Sequence, residues 1–238
     1  MQKKKGNALI FFIKTIKARD KYIKPIEDAR ASFDFEKERK LIYEAVNGWS
    51  NEVKEHFDVK YEIENDQYIP SKGPCVFICN HQGYADILPF LTIMPFHVCF
   101  IAKKELKRLP LFGKWIIRAR GLLINRGHMK SSLKTINEGV EYIKDGFSFV
   151  IFPEGTRSHG HEMGDFKKGS FKLATRAEVP IIPVTLDGSY HMFEEKNRIV
   201  YGTTIKMVFH EPIETKGMSK AEQRALPDKV EKIIRASL

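Results

Sequence analysis

From residue 75 onward, short apolar runs alternate with longer amphipathic stretches. Residues 75–79, 97–102, 122–125, 147–152 and 181–186 are runs rich in β-branched and aromatic side chains, and they read as buried strands. Between them, Leu133, Ile136, Val140 and Ile143 recur at helical spacing and predict a helix stopped by Gly146. Further helices are predicted over 84–94, over 104–119 with a disturbance at Pro110 and Gly113, and over 166–178. Residues 59–63 predict another strand, and 198–210 predict two strands around Gly202. A polar C-terminal helix, interrupted near Pro227, closes the chain. Strands and helices in alternation predict an α/β fold, a mostly parallel sheet flanked by helices.

The first third has a different pattern. Ile42, Val46, Trp49, Val53 and Phe57 fall at spacings of three and four and form one apolar stripe. Together with residues 8–23 they predict an N-terminal amphipathic helical pair joined near Pro25, whose outer apolar faces are candidates for a bilayer or for packing on the sheet. The chain therefore divides into a helical membrane-association segment, 1–58, and an α/β domain, 59–238. A length of 238 residues allows one sizeable core.

Charge sharpens the reading of the N-terminus. The formal net charge is +10, and most of it sits in residues 1–24, where Lys3, Lys4, Lys5, Lys14, Lys17, Arg19, Lys21 and Lys24 face only Asp20. An anionic partner is implied, and the apolar group from Ala8 to Ile13 selects a membrane surface over nucleic acid. No stretch is long and apolar enough to predict a span, and no signal sequence is evident. The expectation is a peripheral or monotopic protein on the cytoplasmic face of the cell membrane, bound through residues 1–57. Cys75, Cys79 and Cys99, an odd set in apolar company, read as reduced core thiols.

Two strand ends carry chemistry. The apolar run to Phe152 stops at Pro153 and opens into Glu154, Gly155, Thr156, Arg157 and Ser158. Gly155 permits close backbone approach to a ligand, and Arg157 offers a planar fork to a phosphate. Earlier, residues 76–79 run into Asn80, His81, Gln82, Gly83, Tyr84, Ala85 and Asp86. On one continuous helix, His81 and Asp86 would lie about 140° apart. They meet only if the chain turns, which Gly83 allows, and a histidine oriented by a carboxylate is a general base near neutral pH.

Asn80-His81 with Asp86, followed by the run from Phe152 to Ser158, resembles the glycerolipid acyltransferases, and among them the 1-acylglycerol-3-phosphate O-acyltransferases. The block from Gly121 to Arg126 and the block from Val179 to Val184 resemble two further stretches of that family, in the same order. Gly83 stands where the family usually has serine, and Asn125 where aspartate is common. The resemblance implies transfer of an acyl group from acyl-CoA or acyl-carrier protein to the sn-2 hydroxyl of lysophosphatidic acid, giving phosphatidic acid. His81 would be the base and Asp86 its orienting group. Arg126, Arg157 and Lys103 would hold the phosphate, and Glu154 and Thr156 would bind the glycerol or order the arginines. The thioester is a co-substrate, and neither a metal nor another cofactor is expected.

The serine-lipase elbow, the phosphate-binding P-loop and the zinc-protease helix motif are all missing from the sequence. Two other readings stay open at this stage. One is an acyltransferase for glycerol 3-phosphate or a different lysophospholipid. The other is a non-catalytic basic protein that binds membranes or nucleic acid.

Overall fold

The structure is a computed structural model that describes residues 7–125 and 129–238. Lys3, Lys4, Lys5 and Arg126 lie outside the described residues. Seven strands form one sheet: β1 (Lys60–Glu64), β2 (Val76–Cys79), β3 (Val98–Lys103), β4 (Leu122–Ile124), β5 (Ser148–Ile151), β6 (Ile181–Asp187) and β7 (Thr204–Phe209). Their spatial order is β1-β7-β6-β2-β5-β3-β4. Every neighbouring pair is parallel except β6 and β7. The mostly parallel α/β expectation is met, with β1 and β7 as a reversed pair at one edge.

β2 lies between β5 and β6, and all of its residues are buried. A strand covered on both faces needs a continuous apolar run rather than an alternating one, and Val76-Phe77-Ile78-Cys79 supplies it. Alternation decides which layer each side chain joins. Val76 and Ile78 enter a cluster with Phe149, Ile151, Leu173 and Val230, while Phe77 and Cys79 enter the opposite one with Phe90, Val150, Ile182 and Phe209. The three cysteines are buried and free. Burial raises all three thiols, Cys75 to about 12, so none is a ready nucleophile.

The helices are α1 (Ala8–Lys17), α2 (Ile23–Ala31), α3 (Phe35–His56), α4 (Ile87–Ile93), α5 (Phe112–Arg118), α6 (Met129–Lys144), α7 (Lys172–Ala177) and α8 (Lys220–Arg235). Asn7 caps α1 by accepting from the Leu9 amide, and Asp34 caps α3 by accepting from Lys37. The N-terminal helices are broken twice. α1 ends at Lys17 and α2 begins at Ile23 with Pro25 in its first turn, where its missing N–H costs nothing, so a break does fall near Pro25. The chain turns a second time at Phe33, whose φ is +58°. The α3 stripe faces inward: Ile42 joins one layer, Val53 and Phe57 the other, so this helix closes both.

Glu38 of α3, fully buried, accepts from Arg30 at 2.7 Å and from Arg120 at 2.8 Å through each oxygen. Arg30 also donates to the Arg118 carbonyl at 2.7 Å. These bonds pin α2 and α3 to the turn between α5 and β4.

Two further expectations fail. Residues 198–202 form no strand: Val200 donates to the Met192 carbonyl and Gly202, with φ +75°, to that of Phe57, so only Thr204–Phe209 pairs in the sheet. Pro227 does not interrupt α8, because Leu226, Pro227, Val230 and Ile234 are buried together and packing outweighs one lost backbone bond.

Candidate active site

The carboxyl ends of β2, β5 and β6 lie side by side, and a doubly wound sheet places its ligands at such ends. β2 ends at Cys79, and the Asn80 side chain continues the pairing toward β6. Its amide donates to the Leu186 carbonyl at 2.8 Å, and its oxygen accepts from the Leu186 amide at 2.8 Å. The backbone beyond is free to turn.

That turn brings His81 and Asp86 together, with Nδ1 and Oδ2 at 2.5 Å. A carboxylate only accepts, so Nδ1 is the donor of this bond and Nε2 is the ring nitrogen left for the site. The Asp86 side chain is fully buried, and that of His81 is 20% exposed. Asp86 Oδ2 also accepts from the amides of Gln82 at 2.8 Å and Gly83 at 3.1 Å, and Oδ1 accepts from the Ser189 hydroxyl. Three donors besides the imidazole therefore fix the carboxylate that orients it. The imidazole stacks on Phe152, with centroids 4.2 Å apart.

The second loop is joined to the first through Glu154. Its Oε1 accepts from the His81 amide at 2.6 Å, and its Oε2 from the Gly164 amide at 2.9 Å. Burial raises its carboxyl above the usual value, partly offset by these two amides and by His81. Two backbone bonds add to the joint, Ser158 to the His81 carbonyl at 2.8 Å and His159 to that of Gln82 at 3.1 Å. Gly155 has φ +71°, and a Cβ there would stand 2.6 Å from Lys167 Nζ. Thr156 is exposed on the same loop.

Arg157 does not bridge to Glu154. Its Nη1 donates to Glu194 at 2.7 Å, and its guanidinium lies 3.6 Å from the centre of the Tyr84 ring. Lys103, the last residue of β3, is exposed two strands from β2.

Sequence reasoning missed the whole contribution of β6 and the segment after it. Asp187 accepts from Gln82 Nε2 at 2.9 Å, and Ser189 donates to both Asp86 and Gln82 Oε1. Burial would raise the Asp187 carboxyl, but bonds from Gln82, His161 and the Gly188 amide hold it below the ordinary value. One signal was available: Asp187-Gly188-Ser189 is also a polar turn at the end of an apolar strand.

Beside the site, a cavity of about 210 Å³ lies between α1, α3, α4, α5 and β3. Its walls include Ile16, Trp49, Leu91, Phe100 and Trp115. Phe100 stacks on Phe152 at 6.4 Å, and Phe152 on His81, so two rings stand between the cavity and the imidazole.

Residues 60–187 match the protein family described as Acyltransferase. The human 1-acyl-sn-glycerol-3-phosphate acyltransferase beta is 27% identical over 195 residues, which are 81% of this chain and 70% of that one. A chloroplastic 1-acyl-sn-glycerol-3-phosphate acyltransferase of Brassica napus is 32% identical over 157 residues, 65% of this chain and 45% of the relative. The crystal structure of the 1-acyl-sn-glycerophosphate (LPA) acyltransferase PlsC from Thermotoga maritima superposes with a TM-score of 0.72. It is 25% identical, and the match covers 96% of this chain and 93% of that one.

Proposed function

The chain belongs to the acyltransferase family, and from that premise we propose that it acylates the sn-2 hydroxyl of 1-acylglycerol 3-phosphate, making phosphatidic acid from an acyl thioester. The observation that carries the reading is the His81–Asp86 pair at 2.5 Å, buried on the aspartate side and open on the imidazole side. His81 Nε2 takes the hydroxyl proton as the oxygen attacks the thioester carbonyl. The tetrahedral intermediate then collapses, the carbon–sulfur bond breaks, and the imidazolium returns the proton to the leaving thiolate. Asp86 holds the ring and balances its charge, and such base assistance contributes about 10² to 10⁴ in rate.

In this reading the phosphate of the acceptor is held by Arg157, Lys103 and Arg126. Glu154 orders the loop, and Gly155 and Thr156 border the glycerol. Acyl-CoA or acyl-carrier protein is the co-substrate, with no further cofactor. The aromatic cavity beside Phe152 suits the acyl chain, because its walls offer almost no polar atom.

Membrane contact is proposed through α1 and its neighbours. Among the described residues no helix is long and apolar enough to cross a membrane. Leu9, Ile10 and Ile13 are exposed on α1 beside Lys14 and Lys17, and Leu109 just before α5 and Ile117 within it are exposed as well. Phe12 touches Phe112, so the two groups adjoin. In this reading apolar insertion with lysines at the headgroups holds the protein on a membrane surface, the cytoplasmic face of the cell membrane, where it meets the acceptor lipid.

The test is free-thiol release from acyl-CoA or acyl-carrier protein with lysophosphatidic acid and anionic liposomes. Acceptor-dependent release is expected from the wild type and a loss of at least about 10²-fold from His81→Ala. Release that ignores the acceptor would mean a thioesterase, and release unchanged in the variant would remove His81 as base.

A further inference from the structure

Tyr84 and Arg157 stand on the two motif loops, and Glu194 belongs to neither. One oxygen of Glu194, Oε1, accepts from Arg157 Nη1 at 2.7 Å and from the Tyr84 amide at 2.8 Å. That single atom fixes both the guanidinium and the backbone of the residue whose ring the guanidinium covers. The Glu194 side chain is only 2% exposed. Its other oxygen, Oε2, is buried and has no hydrogen-bond partner among the described residues. A half-satisfied buried carboxylate costs folding free energy, so its cation must be held closely.

The place of Oε2 explains a glycine. A Cβ on Gly83 would stand 2.5 Å from Oε2 and 2.9 Å from the carboxyl carbon, closer than real contacts allow. The φ of Gly83 is −156°, extended backbone open to any residue. Glycine therefore supplies space here, not a turn. The carboxylate fills the volume that a side chain at position 83 would occupy.

We propose that Gly83 and Glu194 act as one positioning unit for the acceptor's phosphate. The missing side chain admits the carboxylate, the carboxylate holds the guanidinium over the Tyr84 ring, and the remaining donors of Arg157, Nε and Nη2, are kept in one orientation for an anion. The unit rests on the reading of Arg157 as a phosphate ligand. Glu194 touches no reacting atom and is a positioning residue.

The experiment varies lysophosphatidic acid in the thiol-release assay, with acyl-CoA and acyl-carrier protein as parallel donors. It compares the wild type with Gly83→Ala, Glu194→Ala, Glu194→Gln and the Gly83→Ala/Glu194→Ala pair. Each alanine variant is expected to raise KM for lysophosphatidic acid roughly tenfold and to change kcat by less than about threefold. The double variant should match Glu194→Ala alone, because the added methyl at position 83 meets only the Glu194 carboxylate and leaves the amide's hydrogen bond to Asp86 in place. Glu194→Gln, which keeps the shape, recovers part of the KM and carries the comparison if the alanine variant does not fold. Multiplying effects in the double variant, or losses in kcat at constant KM, overturn the unit while the acyltransferase stands. A wild type inactive with lysophosphatidic acid and both donors overturns the acceptor reading and this unit with it.

Discussion

Replacing Glu154 by alanine tests the joint between the two motif loops. The carboxylate accepts from the His81 amide at 2.6 Å and the Gly164 amide at 2.9 Å, and the residue is 5% exposed. Bonds to a charged group contribute about 1.5–3 kcal/mol each, and alanine leaves both amides unpartnered. Desolvation of the ionised carboxylate offsets part of this, so the expected loss of unfolding free energy at pH 7 is about 3 kcal/mol. Urea unfolding followed by the fluorescence of Trp49 and Trp115 measures it. The pH dependence carries a sign. Burial raises the folded carboxyl above 4.5, so the fold favours the neutral form. The gap between wild type and Glu154→Ala is therefore widest below that value, narrows as pH rises through the raised one, and is then flat. Glu154→Gln sets an amide group against one backbone N–H and should lose comparable stability with the same narrowing, because the titrating group is the wild type's. Turnover should fall by at least about tenfold in both variants, because the His81 backbone is no longer anchored. A stability loss below about 0.5 kcal/mol with unaltered turnover would refute the bridge.

Three other outcomes are expected. Asp86→Asn puts an amide among four donors and should lower kcat by about 10³ to 10⁴, read by thiol release, while KM for the donor stays nearly constant. His97 is buried with Nε2 donating to the Ala119 carbonyl at 2.8 Å, and burial lowers it from 6.5 to about 4. Its neutral form is the folded one, so its contribution is full above pH 6.5, and about 3 kcal/mol is lost as pH falls toward 4; His97→Gln should flatten that part of the acid-unfolding curve. Arg120→Met leaves buried Glu38 with Arg30 alone and should cost about 3 to 5 kcal/mol in urea unfolding, with little change in KM.

The sequence carried the fold where pattern and burial coincide. β2, β5 and β6 are buried on both faces, so their apolar runs mark them unambiguously, and their polar ends mark the site. The pairing of β1 with β7 and the reversal of β7 against β6 depend on contacts far apart in sequence, which no local pattern encodes. Pro227 misled for a similar reason, since the apolar stripe that holds α8 together acts only against the sheet's helical layer. In the site, His81, Asp86 and Glu154 were legible because each lies within a short, chemically distinctive loop. Ser189 and Glu194 were not, since they act across more than a hundred residues and thirty residues respectively, on Asp86 and Arg157. Their types are ordinary, and only adjacency of β6 to β2 gives them a role.

Asn80 gives the site a property that its loops alone would lack. By exchanging both hydrogen bonds with Leu186, its side chain stands in for a peptide group and adds a rung to the ladder after the main chain has left it. The backbone groups released at this point are spent next door: the His81 amide on Glu154, the His81 carbonyl on Ser158, and the Gln82 carbonyl on His159. The imidazole is thus hinged on the rigid middle of the sheet, and its bearing is inherited from strand registry. Aspartate at position 80 would set an oxygen against the Leu186 carbonyl, and leucine would offer it nothing, so the angle at which the base meets its substrate is written one residue ahead of the base itself.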